Sequence, residues 1–93
     1  MTKGEYFNLV IDLSKEIAPN MCKSREYDDL LVRDVCCYLL IEAGMSSRRI
    51  GELLGFGSCV ASMANRKIYN YIKLKDTKTL AQIARMRELL KEN

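Results

Sequence analysis

The strongest constraint on the fold is the spacing of two glycines, Gly51 and Gly55, within the segment 47–66 (SRRIGELLGFGSCVASMANR). A helix-turn-helix needs a small residue on its first helix, where the second helix crosses it. Four residues later it needs a residue that tolerates a positive φ angle in the turn. Apolar side chains next to these two points complete the pattern: Ile50, Leu54 and Phe56. The segment therefore predicts a helix-turn-helix.

The second helix of this motif is expected to span about 58–73. Small or apolar residues at helical spacing would face the core: Ala61, Ala64 and Ile68. The outward face would consist of Gly57, Ser58, Cys59, Ser62, Met63 and Arg66. In a helix-turn-helix that binds DNA, this face lies in the major groove. Basic side chains beside it would contact phosphates: Arg48, Arg49 and Lys67.

Apolar periodicity predicts helices along the rest of the chain as well, so we expect a single all-α domain over residues 1–93. The five expected helices span about 4–18, 28 or 29 to 43, 46 or 47 to 54, 58 to 72 or 74, and 76 or 77 onward. The second is apolar nearly all round and should be central. The expected N-caps are Asp28 or Asp29, Ser46 or Ser47, Ser58, and Asp76 or Thr77. The expected core seam of the last helix is Leu80, Ile83, Ala84, Arg87 and Leu90.

Positive charge is concentrated around the motif. The whole chain has a net charge of only +3, but residues 44–75 contain six basic side chains and one acidic one, Glu52. Residues 1–43 have eight acidic and five basic side chains. A local excess of positive charge is typical of a surface that binds nucleic acid.

Several functional classes find little support. The sequence contains no run of about 18 apolar residues, and its charged N-terminus does not resemble a signal peptide, so we expect a cytoplasmic protein without a membrane partner. The four cysteines lack the paired spacing of a zinc site, and we expect reduced thiols and no metal or other cofactor: Cys22, Cys36, Cys37 and Cys59. With no histidine and no phosphate-binding glycine loop, the chain is not expected to be an enzyme or to bind a small-molecule substrate.

Further motifs extend over residues 23–68, about half the chain. An arginine precedes a Tyr-Leu pair in 33–40 (RDVCCYLL), and a Ser-x-x-x-Ile-Gly step occupies 46–51. Arg-Lys-Ile at 66–68 closes the second helix of the motif, and Lys-Ser-Arg at 23–25 begins a loop eight residues before Arg33. Together these motifs resemble the C-terminal DNA-binding domain of the bacterial replication initiator DnaA, which has a Trp-repressor-like fold.

The resemblance implies that Arg25 enters the minor groove and that Arg33 contacts a phosphate. Motif and resemblance together predict a DNA-contacting set: Lys23, Arg25, Arg33, Ser47, Arg48, Arg49, Ser58, Cys59, Ser62, Met63, Arg66 and Lys67. We therefore expect the chain to bind double-stranded DNA, as a transcriptional or mobile-element regulator.

The chain also departs from the DnaA pattern. Gly-Ser-Cys-Val at 57–60 replaces the Asp-His-Thr-Thr cluster with which the initiator reads its binding box, and the loop that should be basic contains acidic residues. These departures motivate an alternative function: a protein-interaction or dimerisation module that kept the fold but lost base readout. The sequence leaves open whether the chain forms a homodimer.

Overall fold

The computed structural model describes residues 1–92, and these residues form an all-α fold of five helices without a strand. The helices are α1 (Lys3–Ile17), α2 (Tyr27–Glu42), α3 (Ser47–Leu54), α4 (Ser58–Lys73) and α5 (Thr77–Glu92). This arrangement confirms the all-α prediction and the number of helices.

Helix α2 is the centre of the core. It packs against each of the other four helices, and its most extensive interface is with α4. Buried side chains lie all round it, including Val35, Cys36 and Leu40, which are fully inaccessible to solvent. A helix that is apolar on every side is stable only when it is surrounded. The prediction of a central second helix is thus confirmed.

The helix N-caps differ in part from those predicted. Ser46 does cap α3, because its hydroxyl oxygen accepts a hydrogen bond from the Arg49 amide at 3.2 Å. Helix α2 instead begins at Tyr27, with Glu26 at the N-cap, so the prediction of Asp28 or Asp29 as its cap was wrong. Both aspartates lie in the first turn, where the positive end of the helix dipole stabilises a carboxylate.

Helix α4 also begins one residue earlier than its expected cap implied. Gly57 occupies the N-cap position and Ser58 is the first helical residue, so the prediction of Ser58 as the cap was wrong. Glycine is well tolerated at an N-cap, although it supplies no side-chain acceptor for the first amides.

The buried seam of α5 runs through Thr79, Ile83 and Met86. The predicted seam was correct at Ile83 and half-buried Leu90 but wrong at three residues, which are exposed: Leu80, Ala84 and Arg87. The register differs because a polar residue, Thr79, is buried. Its hydroxyl donates to the Asp76 carboxylate at 2.7 Å, which satisfies the group without water. Arg87 forms an ion pair with Glu42 of α2 at 3.2 Å.

Asp76 caps α5 and gives the fold a defined pH dependence. Its Oδ2 atom accepts hydrogen bonds from both the amide and the hydroxyl of Thr79, and these bonds hold the pKa of Asp76 below its ordinary value of 3.8. A lowered folded-state pKa means that the stabilisation is present above the unfolded-state pKa and is lost as pH falls through the folded-state pKa.

We therefore expect Asp76→Ala to lower the urea midpoint at pH 7. The difference from the wild-type chain should shrink once the pH falls below about 3.8, the ordinary aspartate pKa. Asp76→Asn keeps an acceptor without a titrating charge and should retain most of the stability at pH 7. Urea unfolding followed by circular dichroism at several pH values measures both effects. An alanine variant whose deficit is constant across pH would contradict the assignment.

Candidate nucleic-acid interface

The turn between α3 and α4 depends on the two glycines that the sequence singled out. Gly55 has a φ angle of +84°, and its amide donates to the Gly51 carbonyl at 2.8 Å. A Cβ atom at Gly51 would collide with the Phe56 carbonyl oxygen and lie 3.2 Å from the Gly57 carbonyl carbon. Gly51 therefore lets the turn and the start of α4 lie directly against α3.

The inner face of α4 is the predicted one. Ala61, Ala64 and Ile68 are all buried, and the first two bring the α4 backbone close to its neighbours because they are small. On α3, Ile50 and Leu54 are buried and Phe56 is half-buried. The predicted packing scaffold is confirmed at each of these residues.

The outer face of α4 is exposed along the whole helix. The six residues predicted to face outward are exposed: Gly57, Ser58, Cys59, Ser62, Met63 and Arg66. Further along, Tyr69 and Lys73 continue the face, with the Lys73 ammonium 4.6 Å from the Tyr69 ring centroid. Sixteen residues at 1.5 Å per residue give a length of about 24 Å. No carboxylate occurs in α4, whereas each of the other four helices carries at least one.

Two clefts flank this face. The first, of about 350 Å³, lies between α2 and α4 and is lined by Arg33, Asp34, Val60, Met63, Ala64 and Lys67. The second, of about 460 Å³, is lined by Ile41, Ser47, Ser62, Asn65, Arg66 and Tyr69. The structure thus brings two predicted contact residues from outside α4 to its edges: Arg33 and Ser47.

Asp34 is a functional candidate that the sequence did not reveal. Its side chain is 2% exposed, and its Oδ1 atom accepts hydrogen bonds from Nε and Nη2 of Arg33 at 3.1 and 2.9 Å. The Lys67 ammonium lies 3.5 Å from Oδ2. A buried carboxylate needs such partners, because an unpaired charge is costly to remove from water. The signal in the sequence was the Arg33–Asp34 pair in the middle of the otherwise apolar segment 30–41 (LLVRDVCCYLLI).

The hydroxyls of Ser47 and Ser62 join α3 to α4. Ser62 donates to Ser47 at 2.8 Å, and both residues line the second cleft. A hydroxyl has one donor and two acceptor positions, so the Ser47 proton is still available to a ligand. The pair holds the two helices in register at the exposed surface.

The two arginines of α3 share one acid. Arg48 and Arg49 each lie 3.5 Å from a carboxylate oxygen of Glu52, and all three side chains are more than half exposed. Arg49 also lines a cleft beside Gly4 and Phe7 of α1, away from α4. Glu52 therefore interrupts the positive surface on α3, and Arg49 lines a cleft that contains no α4 residue.

Lys23 and Arg25 lie in the loop between α1 and α2, and both are exposed. They line neither of the two clefts beside α4. The loop is closed by local hydrogen bonds, including one from the Glu26 amide to the Ser24 hydroxyl at 3.0 Å. The minor-groove role that the resemblance gives to Arg25 stays a prediction.

The four thiols differ in environment. Cys59 is exposed at the start of α4, whereas Cys36 and Cys37 are fully buried in α2 and Cys22 is half-buried. Burial raises the pKa of Cys36 to about 11 and raises that of Cys37 as well. Over residues 1–92, no cluster of three or more His, Cys, Asp or Glu side chains could hold a metal ion.

None of the described helices has the length and apolar character needed to cross a membrane. A comparison of the chain with protein-family models, curated proteins and solved structures finds no match. The geometry and chemistry of the α3–α4 unit and its neighbours are therefore the basis on which a function can be inferred.

Proposed function

We propose that this chain binds double-stranded DNA by placing α4 in the major groove. The observation that carries the proposal is the exposed face of α4, about 24 Å long and free of carboxylates, on the second helix of a helix-turn-helix. A major groove about 12 Å wide admits one α-helix, and a carboxylate on that helix would be repelled by the phosphates.

The contacts would divide between base edges and the backbone. Ser62, Met63 and Arg66 project from the middle of α4, where side chains reach base edges, and an arginine there can pair with guanine. Arg33 and Lys67 at one edge of α4, together with Arg48 on α3, would contact phosphates, which fix the register of the protein on the duplex. Regulation of transcription or of a mobile element is the role that fits sequence-specific binding of this kind.

The first turn of α4 supports the proposal. No side chain caps it, because Gly57 occupies the N-cap. Amide groups at an exposed helix N-terminus favour a negatively charged group, and a DNA phosphate is one. Cys59, exposed in the same turn, provides a chemical probe of this surface.

Selection from a random duplex library, followed by titration across salt concentrations, tests the proposal. We expect an enriched motif and a plot of log K against log [salt] with a slope of about −3 or steeper, since each phosphate contact contributes about −0.9. Bound duplex should slow maleimide labelling of Cys59 by at least about tenfold, as expected for a residue covered in the complex. No enrichment together with no salt-dependent binding at low ionic strength would refute the proposal.

A second candidate, a protein-docking module, is favoured by apolar exposure on α4 and at its end. Met63 is 66% exposed, Tyr69 52% and Leu74 77%. Methionine and tyrosine side chains are enriched at protein interfaces. The two candidates differ in the expected effect of a positive charge at Met63.

A further inference from the structure

We infer that Asp34 is a positioning residue that holds Arg33 and Lys67 together as one binding site for a phosphodiester group beside α4. The inference rests on the proposed function, because the phosphodiester group is taken to be that of bound DNA. Asp34 would not itself contact the ligand. Arg33 and Lys67, which were predicted from the sequence as separate phosphate contacts, would act together.

The two cations come from different helices and converge on one buried acid. Arg33 belongs to α2 and Lys67 to α4, and each approaches a different oxygen of Asp34. The side chain of Asp34 is 2% exposed, whereas those of Arg33 and Lys67 are 23% and 46% exposed. The acid is thus hidden beneath the cations, and only the cations are presented to solvent.

The group has unused capacity for an anion. One carboxylate and two cations leave a net charge of +1. Arg33 directs Nε and Nη2 at Asp34, so Nη1 is available to another acceptor. The Lys67 ammonium, which also lies 5.8 Å from the Tyr71 ring centroid, is half-exposed and can donate to a group in solvent. Because two hydrogen bonds already hold Arg33 before DNA arrives, less of its conformational freedom is lost on binding. An oxygen of a singly charged phosphodiester matches this charge and these donors.

Glu52 provides a matched control within the same helix-turn-helix. It also lies between two cations, Arg48 and Arg49, but its side chain is 53% exposed and its two contacts are both 3.5 Å long. Exposed pairs of this kind are weak and do not fix side-chain geometry. Asp34→Asn and Glu52→Gln each remove one negative charge, so any difference between them reports position rather than net charge.

The experiment compares Kd for the selected duplex near 0.15 M salt, and the salt slope, among the wild-type chain, Asp34→Asn and Glu52→Gln. Loss of one ordered phosphate contact should weaken binding of Asp34→Asn about fivefold and make its slope shallower by about 0.9, although the variant is more positive. Glu52→Gln should bind equally well or more tightly. Circular dichroism establishes whether each variant is folded at the assay temperature.

Arg33→Lys tests the inference if Asp34→Asn does not fold. It keeps a positive charge over the buried acid but loses the two-donor contact, so we expect binding to weaken although the charge is unchanged. Asp34→Asn is the decisive variant if it folds, and Arg33→Lys is decisive if it does not. If the wild-type chain binds DNA and the decisive variant binds it equally tightly, the inference is wrong and the proposed function stands. If the wild-type chain shows no salt-dependent binding, the proposed function fails and the inference fails with it.

Discussion

Replacement of Gly51 with alanine is expected to lower the free energy of unfolding by about 2 to 3 kcal/mol, and the melting temperature by about 10 to 20 °C. The added methyl group meets the Phe56 carbonyl oxygen and the backbone at Gly57 and Ser58, atoms that cannot rotate out of the way. Alanine favours a helix over glycine by about 1 kcal/mol, which offsets only part of the steric cost. For a domain of this size, whose total stability is about 5 to 14 kcal/mol, the loss is large.

The other glycines of the turn provide graded controls. Gly55→Ala has open space around the new methyl group but must adopt a φ of +84°, which costs about 1 to 2 kcal/mol. Gly57→Ala has a φ of −70° and its nearest neighbour, the Cys59 sulfur, at 3.8 Å, so its cost should be only that of a poorer N-cap residue, about 0.5 to 1 kcal/mol. Urea denaturation should rank the variants in that order. Equal stability of the Gly51 and Gly57 variants would contradict the role assigned to the close approach.

A glutamate at Met63 is expected to lower DNA affinity about a hundredfold while leaving the fold intact. The side chain is 66% exposed in the middle of the carboxylate-free face, so the substitution removes little buried apolar area. A negative charge placed against phosphates or base acceptors costs several kcal/mol, and about 2.7 kcal/mol corresponds to a hundredfold change in Kd. Fluorescence anisotropy with the selected duplex measures the effect. Met63→Gln, which adds no charge, should stay within about threefold of wild type.

The opposite charge at the same residue separates the two candidate functions. If α4 lies in the major groove, Met63→Lys should bind DNA at least as tightly as the wild-type chain, with a salt slope steeper by about 1. If Met63 instead docks an apolar protein surface, both the glutamate and the lysine variant should lose the partner, because either charge would be buried without a counterion. Full DNA binding by the glutamate variant would remove α4 from the proposed interface.

The packing of α3 against α4 was predictable because the backbone of the turn accepts few residue types at two positions. Gly51 and Gly55 are required by a close approach and by a positive φ angle, conditions that few other residues meet. Ala61, Ala64 and Ile68 then follow at the spacing of one helix face. These features depend on residues near one another in the chain, so the sequence displays them directly.

The remaining features depend on partners distant in the chain. Asp34 is separated from Lys67 by 33 positions, and nothing near it indicates that two cations converge on it. The predicted register of α5 was wrong because Thr79 is a polar residue, and polar residues are expected at the surface. In the fold its hydroxyl is buried and donates to the Asp76 carboxylate. The predicted cap of α2 was wrong because Glu26 occupies the N-cap without a side-chain hydrogen bond, although the better capping residues Asp28 and Asp29 follow it.

The contacts of α2 with every other helix limit how the domain can be divided. The inner face of α4 lies largely against α2, so α3 and α4 cut out as a separate peptide would expose Ala61, Ala64 and Ile68 to water. The buried apolar side chains of all five helices form one cluster. A minimal fragment for engineering must therefore keep α2. If the chain binds DNA as proposed, a new target preference is better introduced by exchanging exposed α4 side chains on the intact chain than by grafting α3 and α4 elsewhere.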